Sequence, residues 1–401
     1  MSEPASRNAI LAFHSVPRSV EADHLNAILE RTGLGRLLGQ SERRTSGMVV
    51  LPVSADPGAA LAPDPRAVAA VLSDALRGDL RFEPNTSYGV HTVADRPYQA
   101  ELIGSERFVA TGLKSGHGTL SWRPVGRDKM ADPPPWPPSG SPPVVVVLDS
   151  GVKQHDWLPA TTDPSFCIEP DPGPSFLLPV PDVALITGNF GAYWGHATFL
   201  AGLIRLAAPD AQVMSVKLMS DTGTLDDVDL LPALQWLIDY VDAKHRVDVV
   251  LMAFGRPVEP GEDIPEEPDE DNPEEPGEDN RSQLVRLISE LHKRGVTVVA
   301  SAGNDHSHTK TIPACLPLVR SVGAGSSNDD HEPYSNHGTW VTDWRDGDVV
   351  SLMPVTEEND KDTEVQGNGY ARWSGTSFSA ATLAGELAQE NAGKRRASGG
   401  S

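Results

Sequence analysis

The stretch VVVVLDSG at residues 144–151 points to the fold class. Four β-branched residues in succession are typical of a short strand buried on both faces, as in a parallel sheet covered by helices. An aspartate and a glycine follow the strand, and α/β sheets place their functional sites at the carboxyl ends of such strands. Asp149 is therefore the first candidate site residue.

Strand-like and helix-like segments alternate downstream of this stretch. The residue patterns predict strands at 211–219, 247–255 and 296–304, and helices over 230–241 and 284–291. Strands that alternate with helices of this length predict βαβ units. The fold class is therefore α/β, with a mostly parallel sheet and helices on both faces.

The chain upstream has a different organisation. The segment DPPPWPPSGSPP at 132–143 contains seven prolines, which are excluded from helix interiors and central strands, and it is predicted to be a linker. Residues 1–131 are predicted to form a small α+β region. The main domain is then 144–392, followed by a flexible tail at 393–401.

Composition narrows the range of partners. The net charge of −23 argues against nucleic acid and anionic membranes. The absence of a long apolar run and of a secretory signal predicts a soluble, cytoplasmic protein. The two cysteines, Cys167 and Cys315, are expected to be free thiols, and a single bridge between them stays an alternative.

Three further polar residues stand at predicted strand ends or helix starts. His196 lies in GHATFLAGLI, Asn304 ends SAGN, and Ser377 lies in GTSFSAATLAG. Each alone is more often a helix cap or turn residue. Together with Asp149 they supply the parts of acyl transfer, because a serine hydroxyl needs a base, the imidazole needs an acceptor, and an oxyanion needs donors.

The motifs occur in the chain order Asp, His, Ser, and the sequence resembles the subtilisin-like (subtilase, S8) serine peptidases from residue 144 to about 390. The resemblance implies that Ser377 is the nucleophile and His196 the general base. It implies that Asp149 orients the imidazole, and that the Asn304 amide and the Ser377 N–H form the oxyanion hole.

The resemblance also implies an extended polypeptide substrate, bound as an added strand between two walls. The residues of these walls would be Ala253, Phe254, Gly255, Ser301, Ala302 and Gly303. No loop has the carboxylate spacing of a calcium site, so no metal or other cofactor is expected, although the family commonly holds structural calcium.

Two regions keep alternative interpretations. Residues 1–131 are either a propeptide-like region, which would pack on the peptidase domain, or a permanent accessory domain. The segment 256–280 carries twelve carboxylates and one arginine. This segment is either a solvated spacer or the source of a negative electrostatic field that selects basic substrates.

Two other function classes compete with that of a serine endopeptidase. A catalytically silent relative would bind peptides through the same groove, but a binder does not need the complete set of Asp149, His196, Ser377 and Asn304. A small-molecule hydrolase or nucleotide-binding domain is disfavoured, because there is no glycine-rich phosphate loop and the order of the candidate triad differs from that of common esterases.

Overall fold

A computed structural model gives the fold of the chain. It divides into two compact units: Met1–Ser87, Leu225–Leu237 and Ser282–Leu284 form the first, and the rest of the chain forms the second. The structure describes residues 9–14, 22–32, 36–37, 42–43, 48–54, 64–76, 80–84, 86–90, 114–115, 118–119, 123–125, 142–153, 155–158, 167–168, 193, 195–219, 223–262, 264, 282–354 and 369–398.

The N-terminal part of the first unit contains an antiparallel sheet and the helices α1 and α2. Its strands pair in the order β2-β4-β1-β5, with β3 also on β4. Leu25 and Leu29 from one helix and Val68 and Leu72 from the other share its core. The elements are β1 (Ala9–His14), α1 (Ala22–Thr32), β2 (Arg36–Leu37), β3 (Glu42–Arg43), β4 (Met48–Ser54), α2 (Pro65–Ala75) and β5 (Leu80–Pro84).

The second unit contains most of the remaining elements. Those with residues in both units are β6 (Ser87–Val90), β13 (Thr224–Asp226), α4 (Asp227–Asp242) and α5 (Gln283–Lys293). The others are β7 (Lys114–Ser115), β8 (Gly118–Thr119), β9 (Arg123–Pro124), β10 (Val144–Asp149), β11 (Cys167–Ile168), α3 (His196–Ala207), β12 (Gln212–Lys217), β14 (Val249–Met252), β15 (Phe254–Pro257), β16 (Thr297–Ser301), β17 (Thr311–Ile312), β18 (Val319–Ala324), β19 (Asp343–Arg345), β20 (Asp348–Leu352), β21 (Tyr370–Ser374) and α6 (Thr376–Ser398).

A seven-stranded parallel sheet is the centre of the second unit. Its strand order is β11-β12-β10-β14-β16-β18-β19. All six residues of β10 are buried, as expected for a strand covered on both faces. Helices α3 and α6 share one core with alternate residues of β10, β14 and β16. The predicted α/β class with a mostly parallel sheet is confirmed.

Three sequence predictions about element bounds need correction. The run 247–255 is two strands, because the chain leaves the parallel sheet at Ala253 and β15 joins a different sheet. The strand predicted at 296–304 ends at Ser301. Helix α6 continues to Ser398, since the glycine at the start of the predicted tail is followed by the helix-forming residues lysine, arginine and alanine.

Other predictions fall wholly or partly outside the described residues. The linker is described only at 142–143, and residues 265–280, most of the acidic segment, lie outside the described residues. The described part of that segment contains an ion pair in which the two terminal guanidinium nitrogens of Arg256, Nη1 and Nη2, contact the Glu262 carboxylate at 2.7 and 2.5 Å. The proposed domain boundaries remain predictions.

Candidate active site

Asp149 and His196 are brought together by β10 and α3. Asp149 is the last residue of its strand, and His196 is the first residue of its helix. His196 Nδ1 lies 2.9 Å from Asp149 Oδ2 and 3.0 Å from Oδ1, and both side chains are completely buried. The Ser150 N–H and hydroxyl also donate to Asp149 Oδ1, at 2.7 and 3.0 Å. These donors fix the carboxylate under the imidazole.

The Asp149 contact also sets the tautomer of His196. An ionised carboxylate only accepts hydrogen bonds, so Nδ1 carries the proton and Nε2 keeps its lone pair. Nε2 is buried and makes no hydrogen bond to the described part of the chain. The ring is enclosed by the aromatic rings of Tyr193, Trp373 and Phe378, at centroid distances of 6.3, 5.6 and 5.7 Å.

Gly195 lets the chain enter α3 at this point. Its φ of 79° lies in the left-handed region, which favours glycine. A Cβ at this position would lie 2.6 Å from Pro354 Cδ and 2.8 Å from Met353 Sδ. The glycine before the histidine is therefore required by both conformation and space.

Ser377 lies in the first turn of α6 and is completely buried. Its hydroxyl donates to the carbonyl oxygen of Ala253 at 2.9 Å. This contact places the hydroxyl beside the point where the chain leaves β14 for β15. The following residue, Phe378, packs on the His196 ring, so the serine and the histidine lie in adjoining parts of one cluster.

Asn304 is tied to the start of the same helix. Its Oδ1 accepts from the Thr376 N–H at 3.0 Å, and the Gly303 N–H donates to Thr376 Oγ1 at 3.1 Å. These two hydrogen bonds join the SAGN and GTS motifs, which are more than seventy residues apart. Because Oδ1 is committed to Thr376, the orientation of the Asn304 amide is fixed.

A second asparagine, Asn336, supports this loop and was not predicted from the sequence. Asn336 Oδ1 accepts from the Asp305 and Ser307 N–H groups at 2.9 and 3.1 Å. Its Nδ2 and N–H donate to the Ala302 and Gly303 carbonyl oxygens at 3.0 and 2.9 Å. Nothing in the local pattern SNHG singles it out, since its role depends on contacts about thirty residues away.

The two predicted walls differ in their backbone contacts. At the first wall, Phe254 and Gly255 of β15 pair antiparallel with Val90 and Gly89 of β6. At the second wall, the backbone of Ala302 and Gly303 is already used inside the unit by Asn336, Thr311 and Thr376. The first wall is therefore the one that shows strand pairing.

A parallel α/β sheet that carries aspartate, histidine and serine in this chain order is characteristic of the subtilisin-like class of serine peptidases. The model of the subtilase family, Peptidase S8, matches residues 140–394. The chain belongs to this family, as the resemblance predicted.

Curated relatives are distant and longer than the matched region. A thermophilic serine proteinase of Bacillus sp. (strain AK1) is 26% identical over 201 residues, which cover 50% of this chain and 40% of that protein. An intracellular serine protease of Paenibacillus polymyxa is 26% identical over 216 residues, covering 50% and 54%. The chain thus spans about half the length of these relatives.

Solved structures with similar folds include a lanthipeptide protease, at 22% identity and a TM-score of 0.45, covering 64% of this chain and 74% of that one. A cold-adapted subtilisin-like serine proteinase matches at 19% identity and a TM-score of 0.41, covering 62% and 75%.

Among the described residues of the present chain, no helix combines the length and apolar character needed to cross a membrane.

Proposed function

We propose that this chain is a serine endopeptidase that cleaves extended polypeptides through an acyl-enzyme intermediate. The observation that carries the proposal is the buried contact of 2.9 Å between His196 Nδ1 and Asp149. It gives the imidazole a lone pair on Nε2 in an aromatic surrounding, beside the helix that presents Ser377. A general base needs this tautomer.

In the proposed reaction, Ser377 Oγ attacks the scissile carbonyl carbon and its proton passes to His196 Nε2. Asp149 stabilises the imidazolium that forms. The Asn304 amide and the Ser377 N–H donate to the oxyanion, the latter helped by its place at a helix start. The C–N bond then breaks as Nε2 returns the proton to the leaving amine, and water hydrolyses the ester by the same steps.

The contact between Ser377 Oγ and the Ala253 carbonyl has a consequence for this mechanism. While Oγ donates to Ala253, it does not donate to His196. We propose that a change of the Ser377 χ1 rotamer, between staggered positions, turns the hydroxyl from Ala253 toward the imidazole during the reaction. Catalytic hydrogen bonds commonly form only when substrate is bound.

The proposed substrate pairs with the first wall. Gly89 and Val90 of this chain already lie antiparallel to Gly255 and Phe254, which is how an added peptide strand uses a sheet edge. Main-chain pairing of this kind binds extended polypeptide with little dependence on side chains. An unfolded protein such as casein is therefore the substrate with which to begin.

The test compares the wild-type chain with Ser377→Ala, His196→Ala and Ser379→Ala. Ser379 is the matched control, because it is a buried serine on the same helix whose hydroxyl donates to the Arg345 carbonyl at 3.0 Å. We expect the wild type and Ser379→Ala to cleave casein and to be labelled by a fluorophosphonate, and the other two to do neither. Labelling of Ser377→Ala would refute the proposed nucleophile, and casein binding without labelling of any variant would indicate a silent peptide-binding protein.

A further inference from the structure

Four histidines of the second unit form a cluster that the proposed reaction does not use. One nitrogen each of His306, His331 and His337 lies within 4.8 Å of the others. His308 adjoins them, with its Nε2 3.1 Å from His337 Nε2. His337 is buried, whereas His306 and His308 are exposed side chains on a neighbouring loop.

Backbone carbonyls orient two of these rings. His331 Nδ1 lies 2.8 Å from the Asn328 carbonyl oxygen, and His337 Nδ1 lies 3.2 Å from that of Ser335. A carbonyl oxygen only accepts, so both Nδ1 atoms carry protons, and in the neutral form of each ring Nε2 keeps its lone pair. Metal-binding histidines are held in this manner, with the distal N–H bonded to a carbonyl or carboxylate.

The packing of the cluster brings imidazole nitrogens close to one another. The His331 and His337 rings are stacked at a centroid distance of 4.1 Å, and the His308 and His337 rings lie 4.0 Å apart. The nitrogen atoms that meet at 3.1 Å repel each other unless a proton or a cation lies between them. Two imidazole ligands on a tetrahedral zinc ion, at about 2.0–2.1 Å each, have their nitrogens roughly 3.3 Å apart.

We propose that His306, His331 and His337 bind a divalent transition-metal ion of the zinc class, with His308 as the fourth ligand. Imidazole ligands select zinc, copper or nickel over calcium and magnesium, which prefer oxygen. No metal ligand is expected from the sequence patterns, and these histidines are not among the candidate site residues. The signals in the sequence are the HSH pattern at 306–308 and the pair at 331 and 337.

The site adjoins the loop that carries Asn304. His337 follows Asn336, whose side chain accepts from the N–H groups of Asp305 and Ser307, on either side of His306. A bound metal therefore cross-links the loop after Asn304 to the loop that supports it. Its effect on the molecule is to reduce the motion of both loops.

The direct test uses full-length Ser377→Ala protein, which cannot cleave itself by the proposed mechanism, stripped of metal with EDTA. Titration with Zn²⁺ against a chromophoric chelator is expected to show one tight site. His337→Gln and His331→Gln are each expected to weaken binding by at least about 10- to 100-fold, because losing even a residue that only supports a metal ligand has an effect of this size. His292→Gln, which changes an exposed histidine on α5, is the matched control and is expected to leave affinity unchanged.

Two further measurements test whether these histidines are the ligands. Co²⁺ in place of Zn²⁺ is expected to give the visible absorption of a tetrahedral complex, and this absorption is expected to disappear when all three histidines are replaced by glutamine. Binding is expected to persist in His196→Gln, which separates the site from the proposed active site. Equal Zn²⁺ affinity of the wild type and the triple variant, both folded by circular dichroism, would overturn the proposal.

Discussion

Two residues of the same type can have different roles in this chain, because their hydrogen bonds differ. Asn304 and Asn336 are both asparagines near one loop, yet they are used differently. Both the oxygen and the nitrogen of the Asn336 amide form hydrogen bonds with the backbone, whereas the Asn304 oxygen accepts from the backbone N–H at the start of α6. Of these two asparagines, Asn304 is therefore the candidate donor to a reacting group.

We predict that Asn304→Ala lowers kcat by about 10²- to 10³-fold, the effect known for the corresponding asparagine of subtilisin. KM changes little, because the lost donor acts in the transition state alone. Asn304→Asp is the matched variant, since it keeps an acceptor for the Thr376 N–H but offers no amide donor. Steady-state kinetics on a peptide substrate measure both, and a wild-type kcat in Asn304→Ala would contradict the assigned role.

Cys315 provides a second prediction at this scale. It is a free thiol, and burial raises its pKa to about 12. At pH 8 only about one thiol in 10⁴ is then ionised, and the thiolate is the reactive form. We expect iodoacetamide to modify Cys315 far more slowly in the native protein than in 6 M guanidinium, as measured on its own peptide by mass spectrometry. Equal rates in the two conditions would show that the thiol is accessible and ionisable.

Among the secondary-structure elements, α3 and α6 depend on close packing. Gly385 of α6 faces α3, where an added Cβ would lie 2.8 Å from both Ala207 Cβ and the Ile204 carbonyl oxygen. Gly393, further along the same helix, has open space around it. The two glycines therefore allow the effect of packing to be separated from that of helix propensity.

We predict opposite effects of alanine at these two glycines. Gly385→Ala lowers the free energy of unfolding by about 1–3 kcal/mol, because the new methyl group overpacks the helix interface. Gly393→Ala raises it by about 0.5–1 kcal/mol, since alanine loses less backbone freedom in a helix. Urea denaturation of both variants in the Ser377→Ala background measures the difference. A stabilised Gly385→Ala protein would show that the helices separate without cost.

The secondary-structure elements also show which features can be predicted from the sequence and which cannot. The run VVVVLD predicted β10 correctly, because a buried strand is encoded by its own residues. The break at Ala253 was missed, since the run is apolar on both sides of it and the change of sheet is set by pairing with β6 and β17. The histidine cluster and Asn336 were missed for a related reason: their contacts join loops that are distant in the chain.

At the scale of the whole molecule, the accessibility of Ser377 decides whether a polypeptide can react. The hydroxyl is completely buried in the full-length chain, so a polypeptide cannot reach it in this state. The antiparallel register passes from Gly89 opposite Gly255 to Val90 opposite Phe254. It thus runs toward Ala253, the residue whose carbonyl accepts from Ser377. The chain's own segment therefore lies along the first wall in the way that we propose for a substrate.

This alignment predicts that the protein processes itself, with a cut in the few residues after Val90. The propeptide-like interpretation of the N-terminal region would then apply to residues 1 to about 90, because strand β9, beyond the cut, pairs with β21 of the second unit. We expect purified wild type to yield a stable fragment that begins soon after Val90 and cleaves casein faster than the full-length chain. Ser377→Ala is expected to remain intact, and N-terminal sequencing with a time course of activity measures both. A full-length wild-type chain that stays uncut and fully active would instead identify the region as a permanent accessory domain.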